Sequence, residues 1–315
     1  MDIAGMAIAL EYVREIYYRP LLQLVYEAQT VHRQHHPPGR VQLCALVNIK
    51  SGRCPEDCAY CPQSARYSTG IETYPLISLE SLRQQAMAAQ RAGATRLCMG
   101  AAWRSAPAGE AFERVLEMVR LVRKLGMEAC VTLGMVSAAQ AQQLAAAGLT
   151  AYNHNLDTSP AFYPRIITTR TYRDRLETLA HVAAAGLQIC CGGIVGLGES
   201  DEDRIGLLHV LANLTPPPTS VPINALVPVA GTPLGQLPPP DPLLLVRTIA
   251  TARLLLPTAQ IRLSAGRKNL SESEQALCFL AGANSIFTGE RLLTTPNPGQ
   301  AADAALLEKL GLQPL

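Results

Sequence analysis

Cys54, Cys58 and Cys61 form a Cys-x3-Cys-x2-Cys array within IKSGRCPEDCAYCPQSARY, and the aromatic Tyr60 stands immediately before the last thiol. Three thiolates on so short a loop suit an iron–sulfur cube in which one iron stays open to a small molecule. A closed structural zinc cage would need a fourth ligand, which this stretch lacks at matching spacing. Zinc binding or plain packing is the alternative for a Cys-x2-Cys pair alone, but the third cysteine makes the pattern more specific. Gly52 permits a sharp turn before the loop, and Pro55 and Pro62 stiffen it.

A second set is more dispersed. Cys98, Cys130 and Cys190 lie in RLCMG, EACVT and QICCGG, each a few residues into a strand-like run, and Arg262 sits at comparable depth in QIRLSAG. Each cysteine alone would be read as a small hydrophobe. Three at similar depth on different strands, facing an arginine, could hold a second sulfur-bridged metal centre. Chemistry alone makes Arg262 a counterion to such a site, because guanidinium is treated as permanently protonated. Cys191 should face away from Cys190, since side chains alternate along a strand. Cys44 and Cys278 read as packing residues.

Polar residues recur beside these thiols. In AYNHNLDT, Asn153, Asn155 and Asp157 fall at period two and share one face. If that face lines an interior, leaving the groups unpaired would be costly and a polar ligand is implied; otherwise this is an exposed loop. His154 then looks outward as a satisfied structural histidine. Asn224 in VPINAL could join the inward amides, and Arg175, early on the next helix, could reach a carboxylate. GGIVGLGES (192–200) lacks both the G-x-G-x-x-G register and the P-loop lysine of phosphate loops, so its glycines can simply bend a strand end. Thr294 and Thr295 offer hydroxyls to a ligand or form only a turn.

The elements that must position these groups alternate regularly. Helical spacing from about Leu10 to His36, broken at Pro20, gives an N-terminal helical extension over 1–40. His32, His35 and His36 stand at its end, before Pro37-Pro38-Gly39, where solvated histidines are ordinary and metal ligands less so. Strands follow at 41–49, 95–99, 127–133, 150–156, 187–195, 222–227, 259–264 and 283–287. Helices lie between them, at 78–92, 110–125, 137–147, 171–185, 201–214, 241–256 and 271–281. Eight strands alternating with helices predict an α/β fold, a (β/α)8 TIM-type barrel over 41–290, with 291–315 as a tail packing on it. Chemistry in such barrels gathers at the C-terminal ends of the strands, where the first strand delivers the cysteine loop.

Composition narrows the class. At 315 residues and 48% hydrophobic, the chain can bury one large core. A net charge of +2 without long basic blocks disfavours nucleic acid as a partner. Nine cysteines, an odd and sparse number, argue against a disulfide scaffold and for a reducing compartment. No apolar run reaches the ~18 residues of a spanning helix, and the start lacks a basic leader, so a cytoplasmic location away from membranes is expected.

The cysteine triad with its aromatic resembles that of the radical S-adenosylmethionine (SAM) superfamily. Gly192, Ile194, Gly196 and Glu199 fit the Gly-x-Ile-x-Gly-x-x-Glu pattern of those barrels. CMGAAW, EACVTLG, YNHNLDTSP, IITTRTY, SVPIN, RLSAGR, CFLAGANSIF and LLTTPNP extend the likeness, over about residues 20–298, to the biotin synthase family. The resemblance implies sulfur insertion into dethiobiotin to give biotin. It implies a 4Fe-4S cluster on Cys54, Cys58 and Cys61 whose open iron binds SAM, and reductive cleavage of SAM to a 5′-deoxyadenosyl radical. A 2Fe-2S cluster on Cys98, Cys130, Cys190 and Arg262 would then supply sulfur, which promotes Arg262 from counterion to ligand. By the same resemblance Tyr60, Asn155, Asp157, Arg175 and the Gly192–Glu199 pattern serve SAM, while Asn153, Asn224, Thr294 and Thr295 serve dethiobiotin. A flavodoxin- or ferredoxin-type electron donor, iron–sulfur assembly proteins and a second copy of the chain are the implied partners. Rival readings are another radical SAM barrel, such as lipoyl synthase, whose extra N-terminal cysteine triad is missing here, and a sulfur carrier without turnover.

Overall fold

Strand-length apolar runs and capped helices alternate from end to end. The computed structural model describes residues 7–315; residues 1–6 of the expected N-terminal extension lie outside the described residues. Two helices come first, α1 (Leu10–Tyr17) and α2 (Leu21–His35), parted at Pro20 as expected. The repeating part runs β1 (Arg40–Lys50), α3 (Leu79–Arg91), β2 (Arg96–Ala101), α4 (Glu110–Lys124), β3 (Glu128–Thr132), α5 (Ala138–Ala146), β4 (Ala151–Asn153) and α6 (Tyr172–Ala184). It continues through β5 (Gln188–Cys190), β6 (Gly193–Val195), α7 (Asp201–Ala212), β7 (Ser220–Ala225), α8 (Pro242–Leu255), β8 (Gln260–Leu263), α9 (Glu272–Leu280) and β9 (Ser285–Thr288). A two-stranded hairpin, β10 (Arg291–Leu292) and β11 (Thr295–Pro296), then α10 (Gln300–Leu310) and β12 (Gln313–Pro314) complete the chain.

All barrel strands are parallel, and β9 returns to β1 through Gln42–Ser285 and Ala45–Thr288, so the sheet closes on itself. With β5 and β6 sharing one position, the closed sheet has the eight positions of the expected (β/α)8 barrel. Capping boxes at Ser137–Gln140, Thr171–Asp174, Ser200–Asp203 and Ser271–Glu274 start four of the outer helices. Each box satisfies two orphan donors and fixes where the loop above the barrel ends. The main apolar core lies between strands and helices, while a separate interior cluster of Cys44, Cys98, Cys130, Ala151, Cys190, Phe287 and Leu292 fills the barrel. β12 pairs with Arg40 and Val41 at the start of β1.

Several boundaries differ from expectation, and the fourth strand, expected over 150–156, ends at Asn153. The fifth strand is not continuous over 187–195 but breaks after Cys190, because the neighbouring strand presents Pro222, which has no N–H for the ladder. The Gly192 carbonyl faces the opposite neighbour and accepts from the N–H groups of Leu156 (3.0 Å) and Asp157 (3.2 Å), just beyond β4. The sixth strand begins at Ser220, not 222, since Ser220 already pairs with both Cys190 and Gln260.

Of the three histidines at the end of α2, His35 is exposed as expected, but His32 and His36 are not solvated. His32 and His36 are buried and stack with centroids 5.1 Å apart, because this helix end packs under the barrel beside α8. Arg253 Nη1 lies 2.8 Å from His36 Nε2, and Asn284 Nδ2 lies 3.1 Å from its Nδ1. Burial first, and the Arg253 charge second, lowers both imidazoles to about 4. Between pH 6.5 and 4 the unfolded chain therefore binds protons that the folded one refuses, and stability falls as pH falls through that window. With solvent screening at the half-open side of the pair, the expected loss is on the order of 1–2 kcal/mol for each imidazole, read as a drop in the urea midpoint between pH 7 and pH 4.5. The His32→Gln/His36→Gln variant should flatten the profile; an unchanged slope would assign it to other groups.

Candidate active site

β1 runs straight into the cysteine loop, which is knitted by its own backbone. Gly52 (φ 72°) and Arg53 (φ 56°) make the turn, and a Cβ on Gly52 would lie 2.4 Å from the Thr73 side chain. Cys54 N donates to Gln63 O (2.9 Å), Ala65 N to Cys54 O (2.7 Å) and Cys61 N to Cys58 O (2.9 Å). The Asp57 carboxylate accepts from the N–H groups of Thr168 (2.9 Å) and Thr169 (3.2 Å), fastening the loop to the chain beyond β4. Burial acts to raise the Asp57 carboxyl, but these bonds win and hold it at about 2. Burial raises the thiols of Cys54, Cys58 (to about 11) and Cys61 (to about 12), so metal binding there must displace protons. Arg170, which the sequence did not single out, brings Nη2 to 3.8 Å from Cys58 Sγ, the placement of a counterion for thiolates.

One cavity of about 320 Å3 joins this loop to the barrel interior. Cys54, Cys58, Tyr60 and Cys61 border it at the loop, and Cys98, Cys190 and Arg262 border it from the strands. Cys130 lies behind them in the interior cluster, its thiol beside those of Cys98 and Cys190. Sharing of protons among the three raises Cys130 and lowers Cys98 and Cys190. Burial would lower Arg262, yet the nearby thiols of Cys44, Cys190 and Cys98 outweigh it and keep the guanidinium charged. Its Nη1 lies 3.8 Å from Cys190 Sγ, its Nε donates to Ser285 Oγ (3.0 Å), and its face covers the Phe287 ring at 4.7 Å.

Among the described residues, no group of three or more Cys, His, Asp or Glu side chains is set around a point where a single metal ion would sit. Thiols strung along a loop, and others distributed over three strands, suit multi-iron clusters in which different sulfurs take different irons. Cys191 faces the outer core, opposite to Cys190, and Cys278 is likewise buried there. Cys44 is packed as expected, but in the interior cluster. It points into the barrel with the inner thiols, and Arg262 Nη2 lies 3.1 Å from its Sγ.

The polar set converges on the cavity but is not left unpaired. Asn153, Asn155, Asp157 and Asn224 all border it, although the chain leaves the ladder after Asn153. Asn153 Nδ2 donates to Asn155 Oδ1 (3.1 Å) and Cys190 O (3.2 Å), and its Oδ1 accepts from Thr132 Oγ1 (3.0 Å). Asn224 bridges Gly193 O (3.0 Å) and Ala265 N (3.1 Å). Neighbouring backbone and side-chain groups satisfy these amides, which removes the expectation that only a ligand could. Asp157 stands at φ 67°, a left-handed conformation unusual outside glycine, and is buried. Its Oδ2 accepts from Tyr60 OH (2.8 Å) and pairs with Arg175 Nη2. Arg175 also donates to Asn155 O (2.6 Å) and Tyr163 OH (3.0 Å).

Other expected site residues divide. His154 does not face outward; it borders the cavity, is buried, and has no hydrogen-bond partner for Nε2, with burial and then Arg175 holding it well below its usual pKa. Ile194 borders the cavity, whereas Gly192, Gly196 and Glu199 do not. A Cβ on Gly192 would lie 2.0 Å from Pro222 O, so this glycine permits the strand contact. The Glu199 carboxylate accepts from Gly196 N (3.0 Å) and pairs with Arg204 (2.5 Å), which braces the loop from behind. Thr294 and Thr295 border the cavity from the β10–β11 hairpin, together with Leu293, whose tip packs on Gly100.

Comparison with known proteins gives two family models that together span most of the chain. The Radical SAM superfamily model matches residues 48–211, and the Biotin and Thiamin Synthesis associated domain model matches residues 222–313. Their junction falls in the Pro-rich link before β7, although the barrel is continuous across it. Among solved structures, methylornithine synthase shares the fold at a TM-score of 0.81 with 20% identity, over 99% of this chain and 95% of that one. The biotin synthase of Gloeobacter violaceus is 59% identical over 99% of this chain and 98% of its own length. That of Methylobacterium nodulans is 60% identical over 95% of this chain and 90% of its own. Likeness at that level, carried by a barrel that turns two thiol sets toward one cavity, makes the chain a member of the biotin synthase family of radical SAM enzymes, which work with SAM and iron–sulfur clusters.

Proposed function

We propose that the enzyme converts dethiobiotin to biotin, with a 4Fe-4S cluster on Cys54, Cys58 and Cys61 and a 2Fe-2S cluster on Cys98, Cys130, Cys190 and Arg262. The supporting observation is that one small-molecule-sized space borders the loop thiols on one side and Cys98, Cys190 and Arg262 on the other. When bound, SAM and the two clusters supply a 5′-deoxyadenosyl radical and a sulfide to that space. The chain's own residues orient and protect. Tyr60 is fixed by its hydroxyl on Asp157, leaving its backbone for the adenine, while Asn155, Asp157 and Arg175 receive the rest of SAM. Asn153 and Asn224, already locked by neighbours, present rigid amides to the ureido ring, and Thr294 and Thr295 meet the carboxylate tail. Leu46, Ile194, Leu226 and Phe287 form apolar wall that excludes water, which a carbon radical requires.

A flavodoxin- or ferredoxin-type donor supplies the electron, and iron–sulfur assembly proteins load the clusters. A homodimer is supported by the exposed Tyr18, Leu22 and Tyr26 on the outer N-terminal segment, an apolar patch of the kind partners cover; a light-scattering mass of one chain would remove that assignment. Among the described residues, no helix is long and apolar enough to cross a membrane. The test of the reaction is anaerobic reconstitution followed by turnover. Mössbauer spectra should contain both cluster types, and 5′-deoxyadenosine and biotin should appear together only when dethiobiotin and reductant are both present. A single cluster type, or clusters without substrate-dependent SAM cleavage, would sink the assignment, the latter outcome leaving a sulfur carrier.

A further inference from the structure

The interior chamber contains one thiol more than the proposed inner cluster uses. Cys44 shares the buried interior cluster with Cys98, Cys130 and Cys190, and it is fully buried. It comes from β1, the strand next to the one that carries Cys98, and lies two residues before Leu46, the residue paired with Cys98. Alternation therefore turns Cys44 and Leu46 to the same face. The guanidinium of Arg262 spans the two sides of the chamber, with Nη2 3.1 Å from Cys44 Sγ and Nη1 3.8 Å from Cys190 Sγ. Ser285 Oγ touches both, at 3.0 Å from Arg262 Nε and 3.7 Å from Cys44 Sγ. Arginine and cysteine thus occupy one corner of the chamber.

We propose that Cys44 is a reserve fourth thiolate for the inner iron–sulfur cluster: it holds Arg262 by a hydrogen bond when the arginine is present and takes its place on iron when the arginine is removed. The inference rests on the assignment of that cluster to Cys98, Cys130, Cys190 and Arg262. The exchange is balanced. A neutral nitrogen donor leaves the iron, a thiol loses its proton to solvent and binds as thiolate, no electron moves, and the cluster becomes one charge more negative. A ring of four thiolates is the commoner ligand set for such clusters. Its extra negative charge should make the cluster harder to reduce, so an arginine in that corner raises the potential at which the sulfur-bearing cluster accepts electrons.

The test compares the full chain with Arg262→Ala, Cys44→Ser and the double variant, each purified with its clusters. Iron and sulfide content, Mössbauer spectra, resonance Raman Fe–S stretches and reductive titration are the readouts. Arg262→Ala should keep the 2Fe-2S cluster with a four-thiolate Raman pattern and a more negative potential. Cys44→Ser should keep the three-thiolate pattern, and the double variant should hold at least about fivefold less of this cluster. Equal occupancy and spectra in Arg262→Ala and the double variant would overturn the inference, as would loss of the cluster in Arg262→Ala alone. Arg262→Met serves as the second variant where the alanine does not fold by circular dichroism. A parent chain with no 2Fe-2S signal would instead overturn the underlying cluster assignment.

Discussion

Cys54→Ala is expected to abolish 5′-deoxyadenosine formation, by at least about a thousandfold or ~4 kcal/mol of barrier, and with it all biotin. Cys54 anchors the loop twice through its backbone, with N on Gln63 O and O accepting from Ala65 N. Those bonds survive the substitution, so the loop keeps its path and only one thiolate is lost. A cube held by two thiolates loses iron readily. Activity should vanish while the melting temperature of the metal-free chain changes little. Measuring 5′-deoxyadenosine by chromatography with dithionite as reductant separates this from a failed electron donor. Retention of even a tenth of the parent rate would remove Cys54 from the radical-generating set.

Cys130→Ala should give a different phenotype. This residue sits behind Cys98 and Cys190, outside the cavity wall, and makes no contact with the cysteine loop. On the proposed assignment, losing it removes a ligand from the inner cluster and leaves the mouth unaltered. Biotin should fall by at least about a hundredfold, the scale of losing a metal ligand or its close support, while SAM cleavage continues at a measurable rate. The two products are quantified in the same single-turnover mixture. If Cys54→Ala and Cys130→Ala erase both products alike, the division between a radical-generating set and a sulfur-supplying set fails.

Much of this was legible in the residues themselves. The alternation of strand-like runs with capped helices dictated the barrel, and the loop triad, Cys98 and Cys190 border one shared cavity, with Cys130 behind its wall. What escaped depended on the closed shape. Cys44 lies in the first half of β1, where residues 41–45 are all buried, and a stretch covered on both sides carries no alternation from which to read its inward face. Arg170 sits in a loop without periodicity, so its approach to Cys58 is set by the capping box at Thr171 and by Asp57 holding residues 168 and 169. The asparagines were read as awaiting a ligand because their partners, Thr132, Gly193 and Ala265, belong to other strands. The same holds for His36, whose neighbours Arg253 and Asn284 lie more than 200 positions away in sequence.

Among the described residues, nothing partitions the loop thiols from Cys98 and Cys190, since both sets open on a single space. On the proposed assignment, insulation between the two redox centres must therefore come from whatever fills that space. With the organic acceptor in place, the oxidising fragment meets a C–H bond first; with the space empty, it has an unobstructed line to the sulfur reservoir. On the proposed assignment the acceptor therefore also serves as the shutter between the two centres, and tying radical formation to its presence protects the inner one.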